Sequence, residues 1–377
     1  MKKKLIAVAV AGALVTPAAA LAQTTIYGRF NVEWGVSISQ MDPAAASASG
    51  QTSRETVDGF NSGASYVGVR GEEKLGGGMS VWYQCETRAR FGADTNPTQG
   101  TSGICDRNSA LGLKGGFGNF FIGRWDTAIE TQSGNTRFVG STGFQGAQHI
   151  LTEGQDTTII SFAQRVQNSY NYESPNWGGF SFGASSTSRG AAVNTTPNGN
   201  QDGRINSVYG KYEGGPLLVW GGYEKHDDNQ AVASGGRQGS SENMTALGAS
   251  YVLGPVKFGF TYTDFDGDGT VAGTDIKRSS FLLGVDWKIT PAGTIRVAYM
   301  EADDYKGSDA RAALADQGAK QYSLHYIHAL SKRTFAAAYY AKVDNDTNGK
   351  YNYHGFSTDV KPGESAGAFV LQLQHNF

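Results

Sequence analysis

Apolar and polar residues alternate along this chain in short runs, and Gly- and Pro-containing turns break the runs at regular intervals. Near the start, Ile26, Gly28, Phe30, Val32, Trp34 and Val36 fall on one parity, and Tyr27, Arg29, Asn31 and Glu33 on the other. A period of two places successive side chains on opposite faces of an extended strand, so one face meets an apolar medium and the other water. The pattern recurs over residues 165–172 and 334–343. It returns at the end, where Phe369, Leu371, Leu373, His375 and Phe377 oppose Ala368, Val370, Gln372, Gln374 and Asn376.

Punctuation pairs these strands. Tight-turn signals stand at residues 75–78, 115–118, 174–178, 214–216, 254–255, 290–293 and 330–332, each rich in the residues that a sharp reversal needs. Longer polar segments separate the hairpins, at about 37–63, 91–105, 126–163, 187–202, 227–243, 266–276, 304–317 and 344–364. Seven hairpins plus a lone first and a lone last strand give sixteen. The expected fold is all-β: a sixteen-stranded antiparallel transmembrane β-barrel, with short turns at one end and long loops at the other. Closure follows from physics, because in hydrocarbon every backbone N–H and C=O needs a partner and a free sheet edge has none. Side chains cannot fill so wide a barrel, so its interior holds water.

The first residues fit an exported protein. Lys2, Lys3 and Lys4 precede an apolar run from Leu5 to Val15, and Ala20-Leu21-Ala22 supplies a small-x-small cleavage pattern. Residues 1–22 are therefore expected to be a cleaved signal peptide and 23–377 the barrel. The alternative, a membrane anchor, is disfavoured because the apolar run is too short to cross about 30 Å of hydrocarbon as a helix. No later stretch reaches 18 consecutive apolar residues, and the mean hydropathy is -0.37. A barrel hides from such averages, since its lipid-facing residues interleave with polar ones. Gly is abundant, at 52 of 377 residues, while Pro is only 9, which excludes a disordered Pro/Gly tract.

Charge and motifs narrow the function. Taking the three signal lysines from 32 Lys and Arg leaves 29 against 34 Asp and Glu, a formal charge of -5. No basic stripe suggests a nucleic-acid partner. Cys85 and Cys105 are the only cysteines, and in an oxidising compartment they are expected to bond to each other, tying a strand to the loop after it, with buried free thiols as the alternative. The six histidines sit in no G-x-S-x-G or H-E-x-x-H context, so an enzyme is not expected. A soluble β-rich binding protein or adhesin is a third class, which extraction without detergent would reveal. Asp264-x-Asp266-x-Asp268-Gly269, followed by Asp275, has the oxygen spacing of a calcium loop. Its strand-like flanks argue against an EF-hand, so a structural Ca²⁺ stands as an alternative to an acidic outer turn. No other cofactor is expected.

Several segments resemble the general trimeric porins of Gram-negative bacteria, nearest the neisserial-type branch of the β-proteobacteria. They include residues 25–28 (TIYG), 68–76 (GVRGEEKLG), 107–118 (RNSALGLKGGFG) leading to Gly123-Arg124, 168–180 (NSYNYESPNWGGF), 330–334 (LSKRT) and the closing His375-Asn376-Phe377. The likeness spans nearly the whole mature chain. It implies an outer-membrane diffusion pore for ions and small hydrophilic solutes, assembled as a homotrimer among lipid and lipopolysaccharide. A substrate-specific channel is the alternative; its conductance would saturate with one solute.

The resemblance also implies that the third long loop, about 126–163, folds into the barrel and faces a ladder of arginines. Loop acids such as Glu130 and Glu153 would then oppose Arg70, Arg124 and Arg165, and rings of charge select the sign of the ion. The family often has an arginine where Tyr66 stands; Arg29 and Arg88, inward by alternation, are expected to compensate. Strict alternation with Phe120 and Ile122 would aim Arg124 at lipid, so a bulge or an early strand end is expected there. The basic wall points to an anion preference. Phe377 is expected to be read by the outer-membrane assembly machinery or to serve as an interfacial aromatic.

Overall fold

In the computed structural model, which describes residues 24–41, 43, 53–90, 103–140, 146, 149–153, 162–188, 203–227, 239–353 and 360–377, the alternating segments form strands. In chain order they are β1 (Thr25–Gln40), β2 (Arg54–Asn61), β3 (Tyr66–Gly76), β4 (Met79–Arg88), β5 (Ser109–Gly115), β6 (Gly118–Asp126), β7 (Arg165–Glu173) and β8 (Phe180–Thr187). There follow β9 (Arg204–Gly214), β10 (Leu217–Asp227), β11 (Ser241–Leu253), β12 (Val256–Asp268) and β13 (Asp275–Lys288). The last are β14 (Gly293–Ala302), β15 (Lys306–Gly307), β16 (Ala319–Ala329), β17 (Thr334–Asn345) and β18 (Ser365–Asn376). Each of the seven expected turns reverses the chain between two of these strands.

Two barrel strands are split. β2 and β3 both run antiparallel to β1, with Glu33 opposite Asn61 and Arg29 opposite Tyr66, so they form one strand with one extra residue between. The Ser65 hydroxyl repairs the break: it accepts from the Asn31 N–H at 2.8 Å and donates to main-chain carbonyls. β14 and β15 likewise share β13 as neighbour. The segments thus make sixteen strands, and β1 pairs with β18 from Arg29↔Asn376 to Gln40↔Ser365, which closes the ring. The first outer loop is shorter than the expected 37–63, because β1 continues to Gln40 and β2 resumes at Arg54.

Burial is inverted relative to a water-soluble protein. Ile122 and Leu283 point outward and are 47% and 49% exposed, whereas Asn31, Glu33 and Glu224 point inward and are 5%, 3% and 0% exposed. An exposed apolar band around a polar interior fits a hydrocarbon surrounding and a wetted lumen. Inward apolar residues cluster where the chain after β6 covers them. Phe138, Ile150 and Leu151 pack with Leu282, Met300 and Val343, and Ile129 and Phe162 pack with Trp220, Met244 and Phe265.

The calcium-like run turns out to be strand. Asp264, Asp266 and Asp268 all lie in β12, with Asp275 opposite Asp268 on β13. Alternation spreads the three carboxylates along one face, roughly 6.6 Å per step, instead of wrapping them around one point. Each has its own partner: Ser279 at 2.9 Å for Asp264, Lys277 at 3.1 Å for Asp266 and the Ser241 N–H at 2.8 Å for Asp268. Among the described residues, no group of three His, Cys, Asp or Glu is placed to hold a metal ion. Residues 1–22 lie outside the described residues.

Candidate pore lining

The segment after β6 has a helix, α1 (Ala128–Thr136), that lies against β9 to β12. The first N–H groups of a helix have no partner within it. Here no side chain at Thr127 caps them; the Ser185 hydroxyl on β8 accepts from the Ala128 N–H and the Ser207 hydroxyl on β9 from the Ile129 N–H, both at 3.0 Å. The other end is held by Thr136, which meets the Thr261 hydroxyl at 2.8 Å and accepts from the Trp220 indole at 3.1 Å. Beyond it, the Phe138 ring fills a slot over Gly259 and Gly284, which are register partners on β12 and β13; a Cβ on either would strike the ring. Further along, the Ala163 N–H donates to the buried Glu224 at 3.0 Å, and Phe162 stacks on His226 with centroids 4.2 Å apart.

Among the described residues, the segment packs mainly on β8 to β14, and the expected arginines gather on the wall formed by β1 to β7. Register sets Arg29 beside Tyr66 and Tyr66 beside Arg88, one level across three adjacent strands. Arg88 faces Asp106 at 3.7 Å and also donates its main-chain N–H to that carboxylate at 2.8 Å. The row continues through Asn108, which donates to Asp126 at 2.8 Å, to Arg165, which pairs with Asp126 at 3.0 Å and donates to Asn108. Arg70 sits four residues from Tyr66 on the same face, with its guanidinium 4.6 Å above the Tyr27 ring. Arg124 lies within electrostatic reach of Asp106, Asp126 and Arg165. The ladder slips beside it, between Gly123 and Trp125, where an irregularity is expected. The extra residue is on β7, where Asn168 adopts φ +52°.

Arg107 is the member that alternation misses. It lies in the irregular stretch before β5, 3.6 Å from Glu86 and 5.0 Å above the Tyr66 ring, while Arg29 lies 5.5 Å from the same ring. Tyr66 thus gathers two guanidiniums where the family often carries one arginine. Burial pushes the Arg107 guanidinium below its usual value, and Arg165 adds to this while Glu86 opposes it. A disulfide fixes the stretch, because Cys85 on β4 is bonded to Cys105. That spacing was the available signal: a bond at 105 pulls residue 107 onto the β4 wall.

The loop acids are placed differently from the arginines. Glu130 turns back into its own segment, 3.3 Å from Arg137 and 2.6 Å from the Ser133 hydroxyl, and burial pushes its carboxyl up while Arg137 opposes the shift. Glu153 ends the π-helical turn His149–Glu153, and its side chain lies outside the described residues. Phe377 closes the seam between the ends of the chain. Its main chain exchanges two 3.1 Å hydrogen bonds with Gly28, and its ring lies 5.5 Å from that of Phe30.

Comparison with known proteins agrees with this architecture. A family described as Gram-negative porin matches residues 7–348. Outer membrane porin protein 32 of Delftia acidovorans is 30% identical over 390 residues, covering all of both chains. Major outer membrane protein P.IB of Neisseria meningitidis serogroup B is 28% identical over 233 residues, or 61% of each chain. Among solved structures, an anion-selective porin from Comamonas acidovorans superposes with a TM-score of 0.73 at 25% identity, covering 94% of this chain and 100% of that one. The closed sixteen-stranded barrel, its wetted lining and this similarity over the whole length place the chain in the Gram-negative porin family, as a channel protein of the outer membrane.

Proposed function

We propose that the pore conducts small hydrophilic solutes passively and prefers anions, with the segment after β6 narrowing it opposite the basic wall. The observation that carries the reading is the arginine row. Arg88, Arg107 and Arg165 each have a carboxylate beside them, in Asp106, Glu86 and Asp126. Arg29 and Arg70 have none among the described residues, and Arg124 shares Asp106 and Asp126 with Arg88 and Arg165, so in this row six guanidiniums meet three carboxylates and three positive charges remain. The net charge of -5 points the other way, but acids on outer loops are screened within about 8 Å at physiological salt. An ion loses most of its water and its screening where the lumen is narrowest, so the local charge decides. The similar porin from Comamonas acidovorans, described as anion-selective, supports the same sign.

The test is the zero-current potential of the protein in a planar bilayer across a potassium chloride gradient. A potential of chloride sign is expected. A potential of potassium sign overturns the reading.

A further inference from the structure

Toward the tight-turn end of the basic wall lies an open recess of about 480 Å³, lined by Thr25 of β1 and residues of β3 to β7. A volume of this size holds a small organic molecule, well beyond what a chloride ion occupies. Its apolar side is built by Trp82 and Trp125, whose centroids stand 5.8 Å apart and each within 5.3 Å of the Phe121 ring. The Trp82 indole lies flat across β5 because its register partner is Gly112, where any Cβ would collide with Nε1. Its N–H donates to Asn119 at 2.7 Å, so the ring is fixed in place.

Much of the polar side is hydrogen-bonded within the wall, with Glu173 held, among the described residues, by a neutral amide only. Glu72 accepts from the Ser80 hydroxyl at 2.6 Å and from Lys114 at 3.2 Å, and Glu173 accepts from Asn119 at 2.9 Å. Arg70 is the lining cation that no carboxylate holds. It lines the recess, is solvent-exposed, rests on the Tyr27 ring, and has no carboxylate partner among the described residues. Stacking on a ring orients a guanidinium without neutralising it. One oriented, uncommitted cation beside an indole surface matches a small anion with one carboxylate and a planar apolar body. An inorganic anion would use the cation and leave the indoles idle.

We propose that this recess is a transient binding subsite for aromatic carboxylates passing through the pore, with Arg70 holding the carboxylate and Trp125 and the edge of Trp82 the ring. The proposal rests on the anion-pore reading.

Chloride current through single channels is recorded while benzoate, acetate or benzylammonium is added. Benzoate is expected to lower the current saturably, at a half-effect concentration about tenfold below that of acetate, the scale of one aromatic contact. Arg70→Gln and Trp125→Ala should each bring the benzoate-to-acetate ratio near unity, and Gly112→Ala, which displaces the indole, should reduce it. Equal effects of benzoate and acetate on the unsubstituted protein overturn the proposal, as does benzylammonium acting as strongly as benzoate; neither result depends on a variant folding. The zero-current potential in potassium chloride, taken on the same bilayer, separates the two readings. A chloride-signed potential with equal probe effects removes the subsite alone, and a potassium-signed one removes the anion-pore reading.

Discussion

Arg165 is the residue on which the charge row converges, since Arg88, Arg107 and Arg124 all interact electrostatically with it. It also anchors Asp126, the last residue of β6, at the point where the chain leaves the wall. Replacing it by glutamate reverses one charge and releases Asp126 and Asn108. At contact distance in a water-like medium a unit charge is worth about 1 kcal/mol and the reversal changes the charge by two units, so Arg165→Glu should lower the anion-to-cation permeability ratio on the order of thirtyfold. Reversal-potential measurements check this, and an unchanged ratio would exclude Arg165 from the selecting row. Alternation made Arg29 and Arg88 legible, because a regular strand assigns a face to every residue, and the family resemblance supplied Arg70. Arg124 was legible as a conflict, since its parity aimed it at lipid, and an irregularity does occur beside it, with the extra residue on β7. Arg107 was not legible from periodicity: residues 103–108 have none, and a disulfide sets its position.

Loops are the elements that sequence periodicity describes least well, and the segment after β6 shows what fixes one in place. Its helix would leave its first N–H groups unpaired, and the barrel wall supplies the acceptors through Ser185 and Ser207. Losing a helix cap costs about 1 kcal/mol, so Ser185→Ala with Ser207→Ala should weaken the docking of α1 by roughly 2 kcal/mol. The expected readout is a steady current that becomes visibly interrupted; an equally quiet channel would count against the wall as the cap. A second restraint is the Cys85–Cys105 bond, which closes a span of 20 residues. Removing it with Cys85→Ser and Cys105→Ser should cost roughly 3 kcal/mol in the chain-entropy model and loosen Arg107. Thermal unfolding and the zero-current potential should therefore shift together. Alkylation of two thiols in the unreduced natural protein would show that the bond does not form. Element boundaries were partly hidden: Arg54–Asn61 reads as polar loop because its strand carries a bulge at Ser62–Ser65, and the aspartates of β12 read as a loop because carboxylate spacing alone cannot tell a turn from a wetted strand face.

At the scale of the whole barrel, the strand count, the closure and the inversion of burial were all legible, because one alternating pattern encodes them together. The height of the wall was not, and it varies around the ring. Strands β5 to β8 have only 7 to 9 residues, whereas β11 to β13 have 13 or 14. At about 3.3 Å per residue and a tilt near 40°, eight residues rise roughly 20 Å, short of the apolar band of about 25 Å that such a barrel presents to lipid. Fourteen residues rise well past it. The low side still carries large exposed apolar groups, among them Leu111, Phe120, Ile122 and Tyr170. Lipid against a wall too low for its own thickness is costly, while a second protein surface is not, so the low side is expected to face other copies of the chain around a closed ring. The prediction is a homotrimer whose contacts centre on β5 to β8. Cys85 and Cys105 are bonded, so a cysteine introduced at Ile122 or at Leu283 can be labelled selectively with a photoreactive benzophenone. In membranes, the label at Ile122 should cross-link one copy to another and run as a multimer after heating. The label on Leu283, midway along the tall β13, should react with lipid and leave a single chain. Cross-linking between copies from Leu283 with none from Ile122 would place the interface on the tall side and refute the argument from wall height.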